Sequence, residues 1–428
     1  MLVTLVSAFF ILLVLGVPIA FAIGAATFVP LLLDGRLPFT LVITRIFGGM
    51  DSFPLMAIPF FVLTGTLASA CNLVDRIMQL ASFLVGRMRA GLAQVDVVTS
   101  MLFGGVSGSA VADCAATAGI LIPSMTNKGY PASYAVGVCA TSSTIGALIP
   151  PSIPMIIYGF LTGVSTGQLF LAGALPGILV GVLLMFTAYI VSIRGGFGRN
   201  DDAPRRTLQG LVVAVRESAP ALTIPFIIIG GIVGGAFTPT EAGIVASVAV
   251  LAIGHFFYGG FTFRKLRQAV MGAALTTSMV MLILAASTVF ANLLTRAQFQ
   301  AQTVQLLNVI TTVPAFQLLL VVVLLLILGC FIDGTAILIM FAAPLYGVGQ
   351  ALGYDPLQFG TIVVMCCLIG GVTPPVGTLM FISAAVARIG ISEASRGIFP
   401  FFLALCVALL VVALFPPLTT LLPRALLG

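Results

Sequence analysis

The chain has no tryptophan, a single histidine and few charges. Only 7% of its 428 residues are charged, against about 25% in a typical soluble domain. That scarcity excludes the two or three soluble domains that the length alone would suggest. The lone His255 cannot build a multi-histidine metal site. The seven cysteines stand in apolar surroundings and form no Cys-x-x-Cys pair, which argues against a zinc site or a disulfide framework. No transition metal is expected. The absence of tryptophan leaves phenylalanine and seven tyrosines to supply any interfacial belt. The net charge of +6 is spread between apolar runs, the pattern of loop charges that set membrane orientation. No nucleic-acid partner is expected.

What the chain has is apolar length. Sixty per cent of it is hydrophobic, and at about 20 residues per crossing that supports on the order of a dozen membrane segments. The runs are continuous, which excludes a membrane β-barrel, whose strands alternate. The fold class is therefore all-α and polytopic, embedded in a lipid bilayer. The stretch from Met1 to about Phe28 has no basic leading region and reads as a retained first transmembrane helix. Two stretches are aqueous: Arg194 to Glu217, with Arg199, Arg205, Arg206 and Arg216, and His255 to Gln268, with Arg264, Lys265 and Arg267. Their basic residues place both in the cytoplasm. Between them, residues 219–254 read as two short spans joined by a turn at Gly234-Gly235.

An internal repeat organises the rest. Gly129-Tyr130-Pro131 returns as Gly353-Tyr354-Asp355-Pro356, and Gly146 with Pro150-Pro151 returns as Gly370 with Pro374-Pro375, both at an offset of 224 residues. Each copy is preceded by a glycine-rich polar patch with one aspartate, namely Ser107-Gly108-Ser109 with Asp113, and Ile332-Asp333-Gly334-Thr335. Counting crossings from the cytoplasmic loop, with 316–348 as a re-entrant hairpin, starts the two copies on opposite faces. The expectation is a pair of inverted repeats, about 38–192 and 260–428, joined by a basic loop at 193–218 and the helical pair 219–254, as in many secondary transporters.

The repeated motifs carry chemistry. A double proline removes two N–H donors and must break its helix. In hydrocarbon such a break is tolerated only where it is packed in protein or lines a wet cavity. Around Pro150-Pro151 the segment offers Thr141, Ser142, Ser143, Thr144 and Ser152; the second copy, Gly370 to Gly377, offers Thr373 and Thr378. Hydroxyls and freed carbonyls are hard oxygen ligands for a small cation, and a half-helix N-terminus faces an anion well. The patches at 107–109 and 332–335 suit the tips of re-entrant hairpins. A carboxylate inside a span costs a few kcal/mol, so Asp333, and similarly Asp113, is a functional candidate. Arg296 ends a long apolar run and is either a snorkelling side chain or a fork for a carboxylate or sulfonate. Asp51 and Glu241 are candidate helix caps. The plainer alternatives are proline kinks and close packing through small residues. Two other function classes stand beside these: an intramembrane serine protease using Gly105-Val106-Ser107-Gly108, for which the only histidine base sits at a loop edge, and a passive anion channel.

Taken together, Gly104-Gly105-Val106-Ser107-Gly108-Ser109 with Asp113, Gly129-Tyr130, Ser142-Ser143-Thr144-Ile145-Gly146 with Pro150-Pro151-Ser152, Asp51 to Phe61, Gly235 to Ala242 and Thr373 to Gly377 resemble the large membrane subunit of TRAP transporters, the tripartite ATP-independent periplasmic transporters. The resemblance spans about residues 48–385. It implies an elevator-type transporter with two re-entrant hairpins and two discontinuous helices, not an enzyme, in a bacterial inner membrane. It implies sodium as coupling ion, no organic cofactor, and uptake of an organic anion: a C4-dicarboxylate first, or a sialic acid, keto acid or sulfonate. By resemblance the sodium-binding residues are Ser107, Gly108, Ser109, Ser142, Thr144, Gly146, Asp333, Thr335, Gly370, Thr373 and Gly377. The substrate-binding residues are Ser107, Ser152, Asp333 and Thr378, with Arg296 added as the fork. The implied partners are a periplasmic substrate-binding protein and a small four-helix membrane subunit, expected as a separate chain. Cys366-Cys367 stand where the first copy has Ser142-Ser143, so two unequal ion sites are expected. No nucleotide-binding Gly-x-x-x-x-Gly-Lys-Ser/Thr loop occurs, in keeping with an ion-driven process.

Overall fold

The computed structural model describes residues 1–34, 40–198 and 207–427. Arg199, Arg205 and Arg206 of the expected basic loop lie outside the described residues, as does the boundary near residue 38. Every regular element among the described residues is helical. In chain order they are α1 (Leu2–Val14), α2 (Ile19–Asp34), α3 (Thr40–Met50), α4 (Ala57–Ala70), α5 (Leu73–Val85), α6 (Gly91–Ser107), α7 (Ala110–Asn127), α8 (Ala132–Gly146), α9 (Ile153–Thr162) and α10 (Thr166–Gly195). There follow α11 (Leu208–Val233), α12 (Pro239–Phe256), α13 (Phe263–Arg296), α14 (Phe299–Ile310), α15 (Pro314–Phe331), α16 (Gly334–Ala351), α17 (Pro356–Gly370), α18 (Thr378–Ala387), α19 (Ile391–Leu414) and α20 (Pro417–Leu427).

Eight helices among the described residues are long and apolar enough to cross a membrane. That is fewer than composition suggests, because two apolar stretches are each divided between short helices, α8 with α9 and α17 with α18. The N-terminal stretch corrects the sequence reading. It is two helices rather than one, because Gly16 adopts φ +80° and Pro18 lacks a donor, so α1 ends at Val14 and α2 restarts at Ile19. The longest helices, α10 with 30 residues and α13 with 34, would run about 45 and 51 Å at 1.5 Å per residue, beyond the ~30 Å hydrocarbon core.

The helices differ in how much protein surrounds them. In α11 and α13 only 22% of the apolar window is buried, whereas in α16 it is 61%. The first two therefore form an outer wall and α16 belongs to the interior. The wall is joined laterally: α4 meets α12 through a Thr64–Ser247 hydroxyl pair at 2.9 Å, and the Thr240 hydroxyl donates to the Phe53 carbonyl at 3.0 Å. Inside it, α6 and α7 form one helical hairpin and α15 and α16 another.

Each hairpin is clamped to a broken helix by the same device. A Cβ placed on Gly104 of α6 would lie 2.7 Å from the Gly146 Cα, where α8 ends. One on Gly329 of α15 would lie 2.7 Å from the Gly370 Cα, where α17 ends. Backbone thus meets backbone with no side chain between. The loops beyond the breaks are tied back as well: the Ile153 N–H donates to the Gly108 carbonyl at 3.0 Å, and the Val376 N–H to the Cys330 carbonyl at 3.1 Å. A Gly370→Val substitution overpacks the second contact and is expected to cost about 1–3 kcal/mol. Thermal denaturation of the purified protein should show a lowered midpoint; an unchanged midpoint would mean that the contact gives way freely.

Candidate functional site

The first hairpin turns at Ser107-Gly108-Ser109. Gly108 takes φ +61°, which ends α6, and the Ser109 hydroxyl caps α7 by accepting from the Ala112 N–H at 3.3 Å. Ser107 is fully buried, and its hydroxyl has no hydrogen-bond partner. The second hairpin turns at Ile332-Asp333. Asp333 caps α16, its Oδ1 accepting from the Thr335 N–H at 2.9 Å, while the Thr378 hydroxyl reaches its Oδ2 at 3.4 Å.

The breaks between α8 and α9 and between α17 and α18 carry their Pro-Pro pairs at equivalent places, and both peptide bonds are cis. Ser152 bridges the first break. Its hydroxyl donates to the Ala147 carbonyl and accepts from the Met155 N–H at 3.3 Å, capping α9. Thr144 donates to the Thr141 carbonyl at 2.7 Å and Thr373 to the Ile369 carbonyl at 2.6 Å, each keeping lone pairs for another partner. Gly377 precedes α18, and the Leu379 N–H closes the second break onto the Gly371 carbonyl at 2.9 Å.

These parts converge. A pocket of about 50 Å³ is lined by Ala110, Pro154, Gly334 and Thr378, with Asp333 and Thr335 among its polar lining residues. Ala110, Gly334 and Thr378 are the first residues of α7, α16 and α18, and Pro154 is the second of α9. Four helix N-termini, each the positive end of a dipole, therefore line one small space. The arrangement favours an anion, while Asp333 opposes one. A cation among the hydroxyls and freed carbonyls would remove that conflict, and the partnerless Ser107 hydroxyl is an oxygen with the chemistry to serve it. The residues fit a sodium ion in that sense. No group of three or more His, Cys, Asp or Glu side chains placed for a metal ion occurs among the described residues.

Of the predicted residues, Asp333, Thr335 and Thr378 line the pocket; Ser109 directly precedes Ala110, which lines it; Gly146 and Gly370 clamp the hairpins. Arg296 is not brought to the site. It is exposed at the end of α13 and its Nε donates to Asn292 at 3.1 Å. Glu241 closes a capping box with Thr238, a local role. The Ser142 hydroxyl donates to Asp96 Oδ2 at 2.6 Å and, like those of Thr144 and Thr373, keeps its lone pairs for another partner. Asp96 was not singled out by the sequence reading, and it is fully buried in the middle of α6. A signal was present, for Asp96, Ser100, Gly104 and Ser107 recur at spacings of four, four and three, a polar stripe through an apolar run. The second half lacks such hydroxyls. Cys366 and Cys367 are buried, and a Cβ on Gly334 would press on the Cys367 backbone, so backbone carbonyls stand where the first half has serines.

The chain matches the family described as tripartite ATP-independent periplasmic transporter, DctM component, over residues 6–418. It belongs to this family. It is 36% identical to the sialic acid TRAP transporter large permease protein SiaM of Vibrio cholerae, over 97% of each chain. It is 38% identical to the 2,3-diketo-L-gulonate TRAP transporter large permease protein YiaN of Escherichia coli, over 96% of this chain and 95% of that one. Among solved structures, the YdaH transporter of Alcanivorax borkumensis shares the fold, with TM-score 0.61, 14% identity and coverage of 89% and 90%. The DctM-family chain is thus an inner-membrane large permease of a tripartite uptake system and not an enzyme, which sets aside the protease reading of Ser107. Removing the clasp across the first break with Ser152→Ala is expected to cost about 1–2 kcal/mol, the range for a lost helix cap. A thermal midpoint equal to the unaltered protein would show that the clasp adds nothing.

Proposed function

We propose that the chain carries out sodium-coupled uptake of a small organic anion, with the two hairpins and two broken helices moving as one body against the outer wall. The observation that carries this reading is the pocket where four helix N-termini meet beside Asp333. The dipoles attract a carboxylate or sulfonate; Asp333 repels it unless a cation lies between them. That coupling makes anion binding depend on sodium, which is what symport requires. Ser107, Thr144, Gly146, Gly108 and Ser109 serve the first ion, and Asp333, Thr335, Gly370, Thr373 and Gly377 the second. Ser107, Ser152, Asp333 and Thr378 face the substrate. Ser142, whose hydroxyl donates to Asp96, offers its lone pairs to the first ion as well.

The repeat supports opposed gates. The hairpin α6–α7 followed by α8–α9 corresponds in order to α15–α16 followed by α17–α18, and a count of crossings from the basic cytoplasmic loop, with 316–348 as a re-entrant hairpin, supports opposite orientations for the two units. A pocket of about 50 Å³ holds a few water molecules, so an acid enters when a hairpin tip moves. The relatives' names point to acids: sialic acid for SiaM and 2,3-diketo-L-gulonate for YiaN. We assign this chain an organic acid of that kind, a C4-dicarboxylate being the simplest. A periplasmic substrate-binding protein delivers it, and a small membrane subunit covers the sparsely buried wall of α11 and α13.

Reconstitution into proteoliposomes with both partners tests the reading. Uptake should require an inward sodium gradient and should not follow a potassium gradient. Asp333→Asn should reduce it at least tenfold without a change in folding, and Ser107→Ala should raise the sodium concentration for half-maximal uptake severalfold. Uptake that ignores sodium would reject the mechanism.

A further inference from the structure

We infer that Asp96 and Asp113 hold a monovalent cation at a site of their own, between the arms of the first hairpin and α8. The arms run antiparallel, so that Asp96 on α6 faces Thr117 on α7, and Ser100 on α6 faces Asp113 on α7. One helical turn thus separates the two carboxylates, each on a different arm. Both side chains are 0% exposed. Ser142 of α8 donates to Asp96 Oδ2 at 2.6 Å. Asp96 Oδ1 and both oxygens of Asp113 have no partner. The hydroxyls of Ser100 and Thr99, also fully buried, have none either. Ser100 and Asp113 therefore face one another across the hairpin with oxygens that have no other partner.

Two buried carboxylates need compensation, since an ionised group without a partner is among the most costly things to place in a protein interior. None comes from the chain itself. Among the described residues neither forms an ion pair. The titratable groups around them are Cys114 of α7 and Cys139 and Tyr134 of α8, and none is cationic. What remains is a proton or a cation from solution, and the two differ in that only the cation makes stability depend on the salt. Asp113 lies in the first turn of α7, where the helix dipole offsets part of the cost of its negative form when a cation is bound. Three carboxylate oxygens and the Ser100 hydroxyl fall short of the six to eight that calcium takes, and a closed interior cannot keep the water shell that magnesium retains. A sodium ion suits this donor set. The site begins one helical turn from the tip of the hairpin, where Asp113 packs against Gly146, and extends along the arms to Asp96, so an ion here sets the spacing of the two arms and hence the position of Ser107 and Ser109. For its role in transport the inference rests on the proposed sodium coupling; for binding it stands alone.

The test is the thermal midpoint of the detergent-purified chain, titrated with sodium chloride against choline chloride at constant ionic strength. A ligand that binds only the folded state raises the midpoint by mass action. The unaltered protein should be stabilised by sodium. Asp113→Asn and Asp96→Asn should each raise the sodium concentration for half the effect at least tenfold, and each should be more stable than the unaltered protein in choline, because a buried charge is gone. Ser100→Ala, a milder change, should raise it severalfold and keeps the test decisive if an Asn variant fails to fold. Sodium stabilisation that all three variants retain unchanged overturns this inference and leaves the proposed coupling intact. No sodium effect in the unaltered protein overturns both. Stabilisation by millimolar calcium or magnesium in place of sodium overturns the choice of a monovalent ion.

Discussion

Everything in this molecule follows from the cost of an unpaired peptide group in hydrocarbon. A helix meets that constraint automatically, and a broken helix does not. Where α8 stops before Pro150-Pro151 and α17 before Pro374-Pro375, the exposed backbone must be bonded by something nearby. The hairpins supply it: Gly108 accepts from Ile153, Cys330 accepts from Val376, and the glycine contacts bring the chains close enough for both. Breaks and hairpins are therefore one device made twice. Neither could stand in the bilayer without the other.

The same constraint explains where the polar chemistry lies. Helix ends are the only places where a chain this apolar presents backbone dipoles to a ligand, and four of them meet at Asp333. Charge is used sparingly among the described residues: two ion pairs, Arg76 with Glu217 and Arg424 with Asp355, both with solvent-accessible side chains. Carboxylates inside the hairpin, Asp96 and Asp113, have no cationic side chain at all. A protein that excludes its own cations from its interior leaves that position to ions from solution.

Much of this was legible before any coordinates. The repeated Gly-Tyr and Pro-Pro motifs located both hairpin–break units, because prolines and glycines act through backbone geometry, which is local. The fold class followed from composition for the same reason. Two things were not legible. Met1 to Phe28 reads as one span by hydropathy, but Gly16 and Pro18 divide it, and a window average is blind to a single turn. Asp96 was passed over because its meaning is tertiary: it becomes notable only once α7 and α8 close around it and Ser142 turns toward it. Arg296 failed in the opposite sense. Its charge after an apolar run drew attention, yet it ends α13 at the surface, where an arginine needs no partner but water and Asn292.

The bare glycine contacts, Gly104 on Gly146 and Gly329 on Gly370, also set how the joint behaves under load. Interlocked side chains move between discrete rotamers, so a joint made of them clicks from one setting to the next. Two backbones touching at glycine have no teeth. What stops the joint from slipping is the backbone hydrogen bond beside it, Ile153 to Gly108 in one half and Val376 to Cys330 in the other, so a hairpin and its break shift together or not at all.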